Sequence, residues 1–144
     1  MKLIASFILV SMLYSTTWRY NYDEALQLAK KEHKHILLNF SGSDWCGPCA
    51  RLHNEVFTKD AFNQLADKSL VLLNADFPRN KKNQLSAAQQ KINDTLAEKY
   101  NPKGAFPYTV LLDENGKVVK TWDGFPKKPI VDFIDEIQAA VVGK

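Results

Sequence analysis

The stretch Ser41-Gly42-Ser43-Asp44-Trp45-Cys46-Gly47-Pro48-Cys49 decides how the rest of the chain is read. It holds both cysteines, and it stands between an apolar run and a helical pattern. A cysteine in the first turn of a helix meets unpaired backbone N–H groups and the positive end of the helix dipole, which favour thiolate over thiol. Gly47 lets the backbone turn tightly, and Pro48 suits a first helical turn, where its missing N–H had no partner to lose. Cys49 falls one turn further in, within disulfide reach of Cys46. From local chemistry alone the stretch reads as a redox switch.

Working outward, the whole chain has 144 residues, 45% hydrophobic and 24% charged, which predicts one globular domain with a real core. The formal charge is +3. The nearest basic cluster, Arg79-Asn80-Lys81-Lys82, has no interleaved aromatics and reads as a solvated loop, so nucleic acid is not an expected partner. A monomer is expected. A bridge between Cys46 and Cys49 closes too small a loop to restrict the unfolded chain, which argues against a structural staple. A zinc site needs about four ligands. There is no second cysteine pair; His53 lies one turn beyond Cys49, while His33 and His35 belong to an upstream element. Neither a metal nor a separate cofactor is expected.

The chain opens with Met1-Lys2, an apolar segment from Leu3 to Tyr14, and then Ser15-Thr16-Thr17. A basic start, a short apolar core and small polar residues predict a signal peptide over residues 1–17 and a folded domain over 18–144. The apolar part is short of the roughly 20 residues that a spanning helix needs. A buried N-terminal strand or helix is the alternative for this segment. The expected address is periplasmic or secreted.

Periodicity places the remaining elements. Trp18 to Tyr22 is a short strand or extended lead-in, and Asp23 to His33 an amphipathic helix capped by Asn21 or Asp23. His35 to Phe40 is a continuous apolar run of the kind found in a strand covered on both faces. Helix continues over Ala50–Val56, and Thr58 is placed to cap a second piece over Asp60–Asp67. Leu70 to Ala75 is a second buried strand, Phe77 to Asn83 a polar loop, and Leu85 to Tyr100 a long helix stopped by Pro102 and Gly104. Thr109–Leu112 and Lys117–Trp122 form a hairpin about Asp113-Glu114-Asn115-Gly116, where Asn-Gly supplies positive φ angles. Pro129 to Val142 is the final helix. This order predicts a three-layer α/β domain whose sheet joins a parallel pair to an antiparallel hairpin.

At Trp45-Cys46-Gly47-Pro48-Cys49 the sequence resembles the thioredoxin superfamily, and Phe106-Pro107, just before a strand, resembles that fold's cis-proline. The resemblance covers Asp23 to Val142. It implies a thioredoxin fold, α/β/α in three layers about a mixed four- to five-stranded sheet. It further implies that Cys46 is the nucleophile, Cys49 the buried resolving thiol, and Pro107 the residue lying against the pair. Trp45 would present a flat surface beside Cys46; Gly47, Pro48 and Phe106 would support the site. The lead-in before the motif and the long Leu85–Tyr100 helix look more like exported bacterial members of the family.

Two positions depart from the pattern. The buried aspartate usual on the strand before the motif falls on Asn39, and the lysine often paired with it falls near Leu72. Proton transfer at Cys49 would then run through water or through another carboxylate such as Asp44. Gly47-Pro48, with no histidine between the cysteines, is the dipeptide of reducing members. The resemblance therefore implies a reductase of client-protein disulfides, fed in an exported setting by a DsbD-like membrane donor. Two other readings stand beside it. One is a disulfide oxidase or isomerase. The other is a thioredoxin-fold metal-binding module using Cys46, Cys49 and His53, which lacks a convincing third ligand.

Overall fold

A computed structural model describes residues 16–143. Residues 1–15 of the expected signal segment lie outside the described residues. The elements are β1 (Trp18–Arg19), α1 (Tyr22–Glu32), β2 (His35–Ser41), α2 (Gly47–Leu52), α3 (Asp60–Ser69), β3 (Leu70–Asp76), α4 (Ala87–Tyr100), β4 (Tyr108–Leu112), β5 (Val118–Asp123) and α5 (Ile130–Val142). α2 widens into a π-helical turn over His53–Phe57, and a 3₁₀ turn spans Lys81–Asn83.

One five-stranded sheet runs in the order β1-β3-β2-β4-β5. β3 pairs in parallel with both β1 and β2, and β4 pairs antiparallel with β2 and β5. The expected joining of a parallel pair to a hairpin is thus what forms. Because side chains alternate across a strand, each apolar run feeds two cores. Ile36, Leu38 and Phe40 of β2 pack with Val71 and Leu73 of β3 beneath Ala25 and Ala29 of α1 and Leu96 and Tyr100 of α4. Leu37 and Leu72 face the other way, toward Leu52, Phe62, Phe133 and Ile137 from the second helical layer. Burial on both faces is why β2 and β3 read as unbroken hydrophobic runs.

Local chemistry explains most boundaries. Asn21, not Asp23, caps α1, its side chain accepting the Glu24 N–H at 3.2 Å. Ser86 caps α4 by accepting the Gln89 N–H at 3.2 Å, so that helix begins at Ala87 rather than Leu85. Thr58 does not cap α3. Its hydroxyl donates back to the Asn54 carbonyl at 2.7 Å, closing the π turn, and Lys59 holds the cap position without a side-chain bond. In the hairpin turn only Gly116 takes a positive φ, of 81°. The Asp113 carboxylate fixes that turn by accepting the N–H groups of Asn115 and Lys117, both at 2.9 Å.

β5 is an edge strand, on which Val118 and Val119 are 46% and 43% exposed. Among the described residues no helix is long and apolar enough to cross a membrane.

Candidate active site

The parallel pair β2–β3 ends at Ser41 and Asp76, and the quoted stretch leaves the sheet there. The turn Gly42–Trp45 closes on itself, with the Cys46 N–H donating to the Gly42 carbonyl at 2.9 Å. Cys46 is the N-cap residue of α2, and its sulfur accepts the Cys49 N–H at 3.3 Å. Pro48 lies in the first turn, as its lack of an N–H allows. The sulfurs of Cys46 and Cys49 are bonded, with Cα atoms 5.2 Å apart. Cys49 is buried as expected, and Cys46 is nearly as enclosed; the exposed residues of the motif are Gly47 and Pro48. When the pair is reduced, the helix N–H that already points at Cys46 Sγ favours the thiolate there.

Trp45 is more tightly held than the sequence implies. Its indole N–H donates to the Phe77 carbonyl at 2.7 Å, and its ring meets Phe106 edge-on with centroids 5.3 Å apart. It packs so closely on Gly42 that a Cβ there would collide with the indole. The Arg79 guanidinium lies 3.7 Å over the ring centroid. The flat surface expected beside Cys46 is therefore covered by a cation. Phe106 precedes Pro107 across a cis peptide bond, as expected, so the Trp45–Phe106 contact joins the cysteine loop to the proline segment.

Behind α2 the sheet turns polar. Asn39 pairs in register with Asn74, and Ser41 with Asp76, all on the face that carries Leu37 and Leu72 further along. Asn39 Nδ2 donates to Asn74 Oδ1 at 3.1 Å, and Ser41 Oγ donates to the same oxygen at 3.2 Å. The Ser41 hydroxyl also lies 3.4 Å from Asp76, whose carboxylate accepts the Ser43 N–H at 2.8 Å and the Ser43 hydroxyl at 2.6 Å. A pocket of about 330 Å³ opens over this row and reaches Cys49, with Tyr20, Asn39, Ser41, Asn74 and His53 among its walls.

Leu72, the position of the family's usual lysine, stands opposite Leu37, two pairs along, and the β3 neighbour of Asn39 is Asn74. One sequence expectation is corrected here, that Asp44 could carry the Cys49 proton. Asp44 is bound to the loop after β3. Its carboxylate accepts the N–H groups of Arg79 and Asn80, each at 2.9 Å, and the Asn83 side-chain amide at 3.0 Å. The Arg79 backbone bond, then those from Asn83 and Asn80, hold its pKa below the usual aspartate value. The carboxylate nearest the Asn39 row is Asp76. A signal for that row existed: polar residues at alternate positions, Asn39 and Ser41, then Asn74 and Asp76, end two otherwise apolar strands.

His53 is exposed at the pocket rim, on the turn after Cys49. Among the described residues no group of three His, Cys, Asp or Glu side chains is arranged to hold a metal ion.

A family model described as a thioredoxin-like domain matches residues 22–138. The chain belongs to the thioredoxin-like family. Its enzymes exchange thiols and disulfides, and in this thioredoxin-like chain the redox group is the Cys46–Cys49 pair itself. The chain is similar to the disulfide bond reductase DsbH of Chlamydia pneumoniae, with 31% identity over 84% of this chain and 70% of that one. It is also similar to the thioredoxin-related protein DsbJ of the same organism, with 31% identity over 54% of this chain but only 22% of that longer protein. Among solved structures, the DsbH oxidoreductase superposes with a TM-score of 0.80 at 28% identity, covering 90% of this chain and 87% of that one.

Proposed function

We propose that this thiol–disulfide oxidoreductase works as a reductase of client-protein disulfides, in the periplasm or outside the cell, after removal of residues 1–17. The observation that carries the reading is the cysteine pair at the start of α2, with the Cys49 N–H aimed at Cys46 Sγ. The absence of a histidine between the cysteines supports the reducing direction, as does the similarity to a protein named a disulfide bond reductase.

The cycle starts from the dithiol. The Cys46 thiolate attacks one client sulfur, forms an S–S bond to it, and expels the other client sulfur as a thiolate, which takes a proton. Cys49 then loses its proton toward the pocket beside Asn39 and attacks Cys46 Sγ, releasing the second client thiol. The client gains two electrons and two protons, and the enzyme is left as the Cys46–Cys49 disulfide. Pro107 and Phe106 flank the attacked bond and align an extended client segment. A DsbD-like membrane dithiol returns the electrons.

Equilibration of the pair with glutathione tests the direction. A potential near about −270 mV, the reducing end of the family range, is expected; one near about −120 mV would make the protein an oxidant and overturn the reading. Cys49→Ser should leave clients linked to Cys46 as mixed disulfides, and Cys46→Ser should capture none.

A further inference from the structure

The loop that follows β3 is bound to the cysteine loop by groups that belong to the site. Asp44 accepts the N–H groups of Arg79 and Asn80 and the Asn83 amide, and Trp45 donates to the Phe77 carbonyl. Asn80 caps the 3₁₀ turn through the Lys82 N–H, at 3.3 Å. Segment 77–83 is thereby held against Asp44 and Trp45, the two residues before Cys46.

Its charge is of one sign. From Phe77 to Asn93 the sequence carries Arg79, Lys81, Lys82 and Lys91 and no aspartate or glutamate. Arg79, Lys81 and Lys82 are exposed, and none of them enters an ion pair among the described residues. The opposing charges close by are already engaged. Asp44 is held by backbone and amide donors and Asp76 by Ser43. A solvated charge run would leave these side chains free of the site, but the Arg79 guanidinium lies 3.7 Å over the Trp45 ring centroid. A guanidinium stacked on an aromatic ring keeps its N–H fork available for a carboxylate.

We infer that Arg79, Lys81 and Lys82 form a client-selecting shelf that favours disulfides flanked by aspartate or glutamate. This rests on the reductase reading and adds the class of substrate. The apolar indole that would greet any extended client is replaced by a fixed cation, so an acidic residue beside the target cysteine gains an ion pair as the sulfurs meet. A lysine there meets like charge.

The test uses the full-length protein in its reduced form and two disulfide-bridged peptides that differ only in carrying glutamate or lysine beside the attacked cysteine. The rate constant for the glutamate peptide should exceed that for the lysine peptide by about tenfold at low ionic strength, the lower end of electrostatic steering, and the ratio should approach one in high salt. Lys81→Glu/Lys82→Glu should invert the preference. Equal rates for the two peptides in the unaltered protein at low salt would overturn the shelf while leaving the reductase intact. A salt-independent ratio would overturn it too, and does so even if the variant fails to fold. If neither peptide is reduced, the reductase reading fails, and the shelf with it.

Discussion

Asn39 sits where a titrating acid is usual, and the structure gives it a neutral partner, Asn74, 3.1 Å away. An amide pair holds its hydrogen bonds at every pH and moves no proton itself. Asn39→Asp puts a carboxyl into a site only 6% exposed and removes the donor that Asn74 Oδ1 now receives. Burial raises the pKa of such an acid above its unfolded value of about 3.9. The sign follows: protonated in both states below that value, the variant carries little ionisation penalty there. The penalty grows as pH rises through the window between the unfolded and folded pKa values. Denaturant midpoints should show the variant about 1–3 kcal/mol less stable than the parent at pH 7, with the gap narrowing near pH 4. A gap independent of pH would show that the new carboxyl remains hydrated.

The Asn39 substitution was legible in the sequence, because it lies a fixed distance before the motif. Its partner was not. Which residue of β3 faces Asn39 depends on the register of a parallel pair, and two apolar strands of equal length leave that register open until packing on both faces sets it.

Between elements, the cysteine loop is coupled to segment 77–83 by the Asp44 carboxylate and by the Trp45 indole bond to the Phe77 carbonyl. Hydrogen bonds hold the Asp44 pKa below 3.8, with the Arg79 N–H contributing most. A lowered acid stabilises the docked loop at pH values above its unfolded pKa, and that contribution disappears as pH falls through the folded value. Docking should therefore be complete at neutral pH and be released only in acid below the usual carboxylate range. Amide exchange reads this directly. Arg79 and Asn80 should show protection factors in the parent that collapse in Asp44→Ala at pH 6–7, while amides of β2 and β3 keep theirs. Unchanged protection at Arg79 and Asn80 would assign the docking to Trp45 and Phe77 instead.

The order of elements was readable because hydrophobic periodicity and buried runs are local properties. Thr58 shows where that stops. A threonine two residues before a helix looks like a cap, but the π turn places the Asn54 carbonyl within reach, and the hydroxyl goes there. Arg79 is a second case: the basic loop is exposed as expected, but this one guanidinium lies over Trp45, beside Asp44, which binds its backbone from more than thirty residues earlier.

Across the whole molecule, two tyrosines tie the first helix, the longest helix and the hairpin together. The Tyr100 hydroxyl donates to the Gly116 carbonyl at 2.7 Å and lies 3.0 Å from the Tyr22 hydroxyl. Gly116 permits this as well as its turn, since a Cβ there would collide with the Tyr22 oxygen. Burial, and then the bond to Tyr100, push the Tyr22 pKa from 10.0 up to about 12. A raised pKa contributes stability that is complete below pH 10 and is lost as pH climbs toward about 12. Phenolate absorbance should show a late tyrosine step near pH 12. Tyr22→Phe should remove that late step and flatten the loss of stability across the same window. A parent protein whose tyrosines all ionise together near pH 10 would refute the tie.

The exposed rim of β5 has a consequence for how copies of this chain meet. Val118 and Val119 stand on an open strand whose unpaired backbone groups could template a second sheet. Lys117 flanks them on one side and Lys120, which pairs with Glu136 at 3.8 Å, on the other, so an encounter of two such rims sets charged groups beside the valines. Charged residues beside an exposed apolar edge strand are the ordinary guard against edge-to-edge pairing, and a guard set by charge weakens in brine.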